Sequence, residues 1–294
     1  MFVAAIAKAT GFTRGIHTIV RFHGSKAVVP SAATLFFVNG DGWALTCKHV
    51  AEQVIAAETL LPRYRDFQTQ RSALKGVKRE RQLLRELERR FGFVDGVALE
   101  AYNNFIDRIE GPLKADVKLH PDLDIALLHF SGYTKLSSST FPIFAKDDGD
   151  LKQGKYLCRL GYPFPEFTNF EYDGANDCIR WTNSGRIDTP SFPIEGMVTR
   201  HLINASGAVV GFEMSTPGLR GQSGGPAFDA DARVWGMQFS TRHLDLDFDV
   251  DMEVLRKGQK RIIKHNAVLH VGHCVHVAAL KAFMRANGVP FKDG

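Results

Sequence analysis

Short apolar runs bounded by glycine, proline, asparagine and aspartate mark several extended segments along this chain. His17–Phe22 and Ala33–Val38 are β-rich and predict strands near the N-terminus. Ala32–Glu52 reads as a strand, an N-G-D-G hairpin turn and a second strand, with His49 just past its end. His120–Phe130, H-P-D-L-D-I-A-L-L-H-F, places Asp124 at the mouth of a short apolar strand. Met197–Leu202 and Val209–Met214 predict a hairpin that runs into Ser215–Phe228, S-T-P-G-L-R-G-Q-S-G-G-P-A-F. That last stretch is too rich in glycine and proline for a helix or central strand, so it is a tight loop with Ser223 in its middle.

Helical spacing appears in two places. In Gln70–Phe91, Leu74, Val77, Leu84, Leu87 and Phe91 recur at steps that predict one amphipathic helix. Val277–Ala286 carries Val277, Leu280, Phe283 and Met284 at helical intervals, with Gly288 as a C-terminal stop. Between Phe164 and Pro193, aromatic residues stand among Pro, Gly, Asn and Asp and predict a small core cluster under a long loop. Arg242–Glu253 alternates acidic and apolar residues, so a regular strand would put Asp245, Asp247, Asp249, Asp251 and Glu253 on one face. Calcium is not expected there, because the sixth position of the loop is Val250 and the twelfth is Arg256. The near neighbours His265, His270, His273 and His276 show no zinc-type spacing.

The chain has 294 residues, 44% of them hydrophobic, enough for a substantial core. Its formal charge is +5. Arg71–Arg90 alone holds eight basic and three acidic residues, so the excess is concentrated there. Three readings suit that concentration: a solvated face with pairs such as Glu86–Arg90, a contact with an acidic protein or nucleic acid, or an internal contact with the acidic Asp245–Glu253 stretch. No aromatic residues are interleaved with these charges, which disfavours base-specific reading of nucleic acid. The apolar N-terminus lacks a basic segment before it and breaks at Lys8, so it is not read as an export signal, and a cytoplasmic protein is expected. Cys47, Cys158, Cys178 and Cys274 show no close metal-type pairing.

A serine hydroxyl needs a base to accept its proton and a carboxylate to fix the base's tautomer. His49, Asp124 and Ser223 supply these in the order His, Asp, Ser, with Asp122 as a solvated competitor for the carboxylate role. In those surroundings T-C-K-H-V, D-I-A-L-L and G-Q-S-G-G-P resemble the three catalytic blocks of trypsin/chymotrypsin-like serine peptidases, especially the bacterial Deg, or high-temperature-requirement, branch. Leu151–Phe164 and Val234–Thr241 are also similar to strands of that branch, so the likeness covers most of the chain in order.

The resemblance implies an all-β fold of two packed six-stranded antiparallel barrels with a helical insertion and a C-terminal helix. Residues 14–145 would form an N-terminal barrel carrying His49 and Asp124, with the basic insertion at about 53–115. Residues 146–294 would form a C-terminal barrel carrying Ser223 and the last helix, the crossing lying near Ser137–Ser139. By the same likeness His49 is general base, Asp124 its orienting partner and Ser223 the acylating nucleophile, with the Gly221 and Ser223 amides as oxyanion hole.

Pro217 takes the pocket-base position where an aspartate would select Lys or Arg, and Gln238, Phe239, Ser240 and Thr241 would form the strand that pairs with substrate. His270 or His273 would lie near that pocket. Gln222 replaces the aspartate of extracellular zymogens, so activation by N-terminal cleavage is not expected. Val50 replaces a half-cystine of secreted relatives. No cofactor or metal is implied. The expected partner is a protein or peptide substrate, with a regulatory protein, or nucleic acid on the Arg71–Arg90 helix, as alternatives. A gated or inactive binding module and an esterase are the rival functions.

Overall fold

The computed structural model describes residues 1–294 except 106–108, 111–113, 137, 139 and 147, and omits the side chains of 109, 110, 135, 148, 265 and 266. Ser137, Ser139 and the side chain of His265 therefore lie outside the described residues.

Helix α1 (Val3–Phe12) seats Ala5, Ala9 and Phe12 in the core. The chain then forms β1 (Thr13–Phe22), β2 (Val28–Phe37) and β3 (Trp43–Thr46). Two helices intervene, α2 (Lys48–Ala73) and α3 (Glu80–Arg90). Strands β4 (Ala98–Phe105), the short β5 (Ile109–Glu110), β6 (Lys114–Leu119), β7 (Ala126–Ser131) and β8 (Lys135–Leu136) follow. Six of these make one antiparallel sheet in the order β4-β1-β2-β3-β7-β6, and β5 pairs with β8. The expected turn after β2 is present: the Val38 amide donates to the Trp43 carbonyl at 2.7 Å. Leu35–Phe37, Leu127, Leu128 and Phe130 are almost fully buried on this sheet, each large side chain contributing about 1.5–3 kcal/mol by leaving water.

The second sheet comprises β9 (Ile143–Phe144), β10 (Tyr156–Gly161), β13 (Phe192–Ile203), β14 (Val209–Met214), β15 (Pro226–Phe228), β16 (Arg233–Arg256), β17 (Gln259–His276) and β18 (Lys292–Asp293). The run β15-β10-β13-β14-β17-β16 is closed on itself because β15 also pairs with β16 over Val234–Met237, giving a six-stranded antiparallel barrel. Strands β9 and β18 add parallel pairings outside that ring. Helix α4 (Val277–Ala286) follows, its first turn capped by the His276 ring, which accepts the Ala278 amide at 3.1 Å.

The aromatic stretch after β10 folds as a hairpin of β11 (Phe170–Asp173) and β12 (Cys178–Trp181), with Phe167 and Ile179 packed on Ile19 of β1. It is the small core cluster expected from the sequence. Tying this hairpin to the insertion is a buried polar network. Arg21 donates to Glu100 at 2.7 Å, to the Tyr64 hydroxyl at 2.6 Å and to Asp177 Oδ1 at 3.0 Å, while Arg71 reaches Asp177 Oδ2 at 2.7 Å.

Three expectations change. The single helix over Gln70–Phe91 is two, because the chain turns between Leu74 and Arg79, where Gly76 and Arg79 adopt positive φ. Leu74, Leu84, Leu87 and Phe91 still share a core, but it is the inside of the α2–α3 hairpin, around Tyr64, Phe67 and Phe93, and Val77 is exposed at the turn. Arg90 bonds Gln70 and Glu86 accepts from Gln82, so the expected Glu86–Arg90 pair is not made. Secondly, the helical segment ends well before residue 115, since Ala98–Phe105 is a strand of the first sheet, paired with β1.

Thirdly, one of the five acidic residues expected on a single face, Asp247, leaves it. A bulge at residues 246–248, with Asp247 at φ 56°, takes that residue out of the ladder, while Asp245, Asp249, Asp251 and Glu253 stand opposite Val268, Asn266, Lys264 and Ile262 and so keep a common face. Lys257–Lys264 is the return of this hairpin, and Lys260 pairs with Glu253 at 2.7 Å. The ribbon stands in solvent, with Leu246, Phe248, Met252, Leu255 and Ile262 all exposed.

Candidate active site

Strand β3 ends at Thr46, and Cys47, extended at ψ 148°, opens α2, so His49 stands in the first turn of that helix. The first amides of a helix have no partner inside it. Asp124 meets one of them: its Oδ1 accepts the His49 backbone N–H at 3.0 Å, while Oδ2 lies 2.7 Å from His49 Nδ1. One carboxylate thus caps the helix and fixes the imidazole in orientation and tautomer. Burial pushes the Asp124 carboxyl up, but the hydrogen bonds from His49 outweigh it and hold the group below its ordinary value, so it is ionised near neutrality.

The loop carrying Asp124 is built on neighbouring contacts. The His120 ring accepts the amides of Asp122 and Leu123 at 3.1 and 3.0 Å, and Lys48 Nζ donates to the His120 carbonyl at 3.0 Å. Asp122 is exposed, in the solvated position expected of it.

The serine loop is pinned by the first sheet. The Thr34 amide donates to the Ser223 carbonyl at 3.0 Å, and Thr34 Oγ1 donates to the Gly221 carbonyl at 2.7 Å while accepting the Tyr162 amide at 3.1 Å. Behind it, Cys47 Sγ donates to the Gln238 carbonyl at 3.2 Å. Sheet and barrel therefore meet at the site, and His49, Gly221 and Ser223 line one cavity of about 270 Å³.

Ser223 Oγ donates to the Phe239 carbonyl at 3.4 Å and makes no hydrogen bond to His49. A change of χ1 rotamer is the motion that redirects this hydroxyl. The N–H groups of Gly221 and Ser223 have no protein acceptor among the described residues. Gly221 sits at φ 99°, and a Cβ there would lie 2.7 Å from the Tyr162 carbonyl and 2.8 Å from Pro163 Cα, so the position admits glycine alone. Gln222 is buried and fixed: its side chain accepts the Leu219 amide at 3.0 Å and donates to the Phe192 carbonyl at 2.9 Å.

Gln238, Phe239, Ser240 and Thr241 lie on β16 beside Ser223, and the strand is held on its other edge by β17, with Ser240 opposite His273 and Thr241 opposite Gly272. Pro217 is near them through Gly218, whose carbonyl accepts Thr241 Oγ1 at 2.6 Å. His273 faces Glu213 at 3.5 Å, and His270 bonds His243 on the ribbon, so neither ring is presented to the serine loop by these contacts. Among the described residues, the group with metal-type donors is Cys47, His49 and Asp124, the His–Asp pair itself plus the buried thiol.

Sequence reasoning passed over Thr34 and Arg159. Thr34 is one of several polar residues in β-rich segments and carried no distinguishing signal. Arg159, fully buried in the apolar run L-C-R-L-G, did carry one: a charge on a strand between leucines.

Two antiparallel sheets meeting at a His–Asp pair and a glycine-flanked serine define the class of trypsin-like double-barrel proteins. The family model described as the trypsin-like peptidase domain matches residues 33–237, and the chain belongs to that family. Among solved structures, the chain is similar to the active form of the Rv3671c protease from M. tuberculosis, at 14% identity and a TM-score of 0.49, with 99% of this chain and 86% of that one covered. It is also similar to an HtrA-type protease, AlgW, with a tripeptide, at 11% identity and a TM-score of 0.48, covering 97% of this chain and 63% of that one. No curated protein matches. No helix among the described residues is long and apolar enough to cross a membrane.

Proposed function

We propose that this protein is a serine endopeptidase in which Ser223 attacks the peptide carbonyl, His49 takes and returns the proton, and Asp124 orients and stabilises the imidazolium. The observation that carries this reading is the two-point grip of Asp124 on His49, ring and backbone, in the cavity that also holds Ser223. The hydroxyl turns from the Phe239 carbonyl to His49 Nε2 for attack, and the free amides of Gly221 and Ser223 receive the oxyanion. An extended substrate lies along Phe239–Thr241, whose edge toward Ser223 has no strand partner among the described residues.

With neutral Gln222 already locked to Leu219 and Phe192, the loop needs no new N-terminus to pair with, and activity is set without N-terminal cleavage. The four unpaired cysteines suit a reducing compartment, and we place the enzyme in the cytoplasm. A serine-directed fluorophosphonate probe tests the reading: adduct on Ser223, lost in Ser223→Ala, supports it, and absence of adduct with and without protein substrate refutes it.

A second reading is favoured by the exposed Arg79, Arg81, Arg85 and Arg89 on and before α3, namely an anionic partner on the insertion. Retention on nucleic acid or an acidic protein that weakens with salt and disappears when these four are changed to Gln would establish it. Retention unchanged by those substitutions would dismiss it.

A further inference from the structure

Next to the strand edge that faces Ser223, a full positive charge is buried where no carboxylate meets it. Arg159 is wholly buried on β10. Its Nη1 donates to Gln238 Oε1 at 2.5 Å, and its Nη2 donates to the Thr216 carbonyl at 2.9 Å, Thr216 Oγ1 at 2.6 Å and the Pro217 carbonyl at 3.0 Å. Nε has no acceptor. Every partner is neutral, and among the described residues no Asp or Glu forms an ion pair with this guanidinium. Burying a charge is costly unless it is paired with an opposite one, and a leucine in its place would serve the packing of β10 at no such cost. The charge is arranged for something the chain does not contain.

Three backbone segments show where that something would lie. Phe239–Thr241 begins at the carbonyl that holds the Ser223 hydroxyl. Pro217–Gly218 lies alongside, joined to it by the bond from Thr241 Oγ1 to the Gly218 carbonyl. Gly272 closes the third side: its amide donates to the Thr216 carbonyl at 2.8 Å, and a Cβ there would stand 2.0 Å from Arg159 Nη1. The slot they bound, from the nucleophile to the guanidinium, is closed in this structure by the Thr241–Gly218 bond and filled by the Gln238 side chain. At its inner end lies the Gln238 carboxamide, pressed against Gly218 and donating to the Ser240 carbonyl at 2.5 Å. Its oxygen occupies the position on Arg159 Nη1 that a carboxylate oxygen would take.

We propose that this slot receives the side chain preceding the scissile bond and selects aspartate or glutamate there, with Arg159 as counter-charge and the Gln238 amide oxygen holding the place until substrate arrives. The proposal rests on the peptidase reading of Ser223. Entry of the acid exchanges a neutral acceptor on Arg159 for an ionised one, parts the Thr241–Gly218 bond and gives the buried cation its missing partner. A glutamine side chain of the same shape gains no ion pair, and a lysine meets a like charge.

The test is a set of peptides identical except for Glu, Asp, Gln, Leu or Lys before the cleaved bond. Wild-type protein is expected to cleave the acidic members with kcat/KM higher than the Gln member by roughly a hundredfold, and Lys worst of all. Equal or better cleavage of Gln, Leu or Lys overturns the proposal. The same uncut peptides are then bound to Ser223→Ala protein and followed by fluorescence anisotropy, a readout independent of hydrolysis. Tighter binding of Glu and Asp supports the slot even if wild-type protein cleaves nothing, in which case it is the peptidase reading that fails; equal binding of all five overturns the slot. Arg159→Met, which removes the charge at similar bulk, is expected to level Glu with Gln, and a Glu preference that survives in it assigns the selectivity elsewhere. Should that variant not fold, the cleavage series on wild-type protein and the binding series on Ser223→Ala protein decide.

Discussion

His17 gives a stability prediction that can be worked through. It lies on β1, only 2% exposed, stacked on Phe167 at 4.1 Å, with Nδ1 unpartnered. Burial lowers its pKa from 6.5 to about 4, only partly offset by the Asp188 charge. The sign follows from proton counting. Between these two values the unfolded chain binds a proton that the folded chain refuses, so stability falls as pH drops through the window and is level above it. Integrating the linkage relation from pH 7 to pH 5 gives a loss of about 2 kcal/mol from this one side chain. Urea unfolding followed by tryptophan fluorescence at pH 7, 6 and 5 measures it.

The control is His17→Phe, which keeps a ring against Phe167 and cannot take a proton. Burial also holds His120 and His273 below the ordinary histidine value, but these groups are common to both proteins and cancel in the difference. Wild type is expected to lose about 2 kcal/mol more than His17→Phe between pH 7 and pH 5. Parallel curves for the two proteins would show that His17 can reach solvent and charge in the folded state, and would refute the reasoning.

Asp124→Asn keeps an acceptor for the His49 amide but removes the charge opposite Nδ1, and should lower kcat about 10⁴-fold on any peptide the wild type cleaves while leaving the thermal midpoint nearly unchanged. Tyr64→Phe deletes the 2.6 Å acceptor of Arg21 inside the network that joins α2 to the β11–β12 hairpin, and should cost about 1–3 kcal/mol in denaturant unfolding. Replacing residues 247–264 by a short Gly-containing turn removes ribbon whose side chains are mostly exposed; the thermal midpoint and Ser223 labelling by fluorophosphonate should both persist. A large fall in either would mean that the ribbon braces the barrel.

The strands and the tight loop around Ser223 were legible from local signals, apolar runs and glycine-rich sequence, while the double-barrel class and the three candidate catalytic positions came from the likeness of T-C-K-H-V, D-I-A-L-L and G-Q-S-G-G-P to the trypsin-like family. The terminal helix at Val277–Ala286 was equally plain from spacing. Other features were not. Continuous helical spacing hid the turn at Gly76, because a hairpin of two helices preserves the stripe while reversing the chain. The acidic alternation of Asp245–Glu253 hid the bulge at Asp247, since a register shift leaves no mark on period-two composition.

By itself the amino-acid order determined which segments are extended, where the chain must turn tightly and which side chains have the chemistry for acyl transfer. Only the tertiary structure decided that Asp124 caps the helix that carries His49, that Thr34 locks the Ser223 loop, and that Arg159 lies buried without a counter-charge beside Phe239–Thr241. The reason is range: strand and turn propensities act over a few residues, whereas these contacts join positions tens to hundreds apart, and only the closing of sheet and barrel against each other brings them within a hydrogen bond.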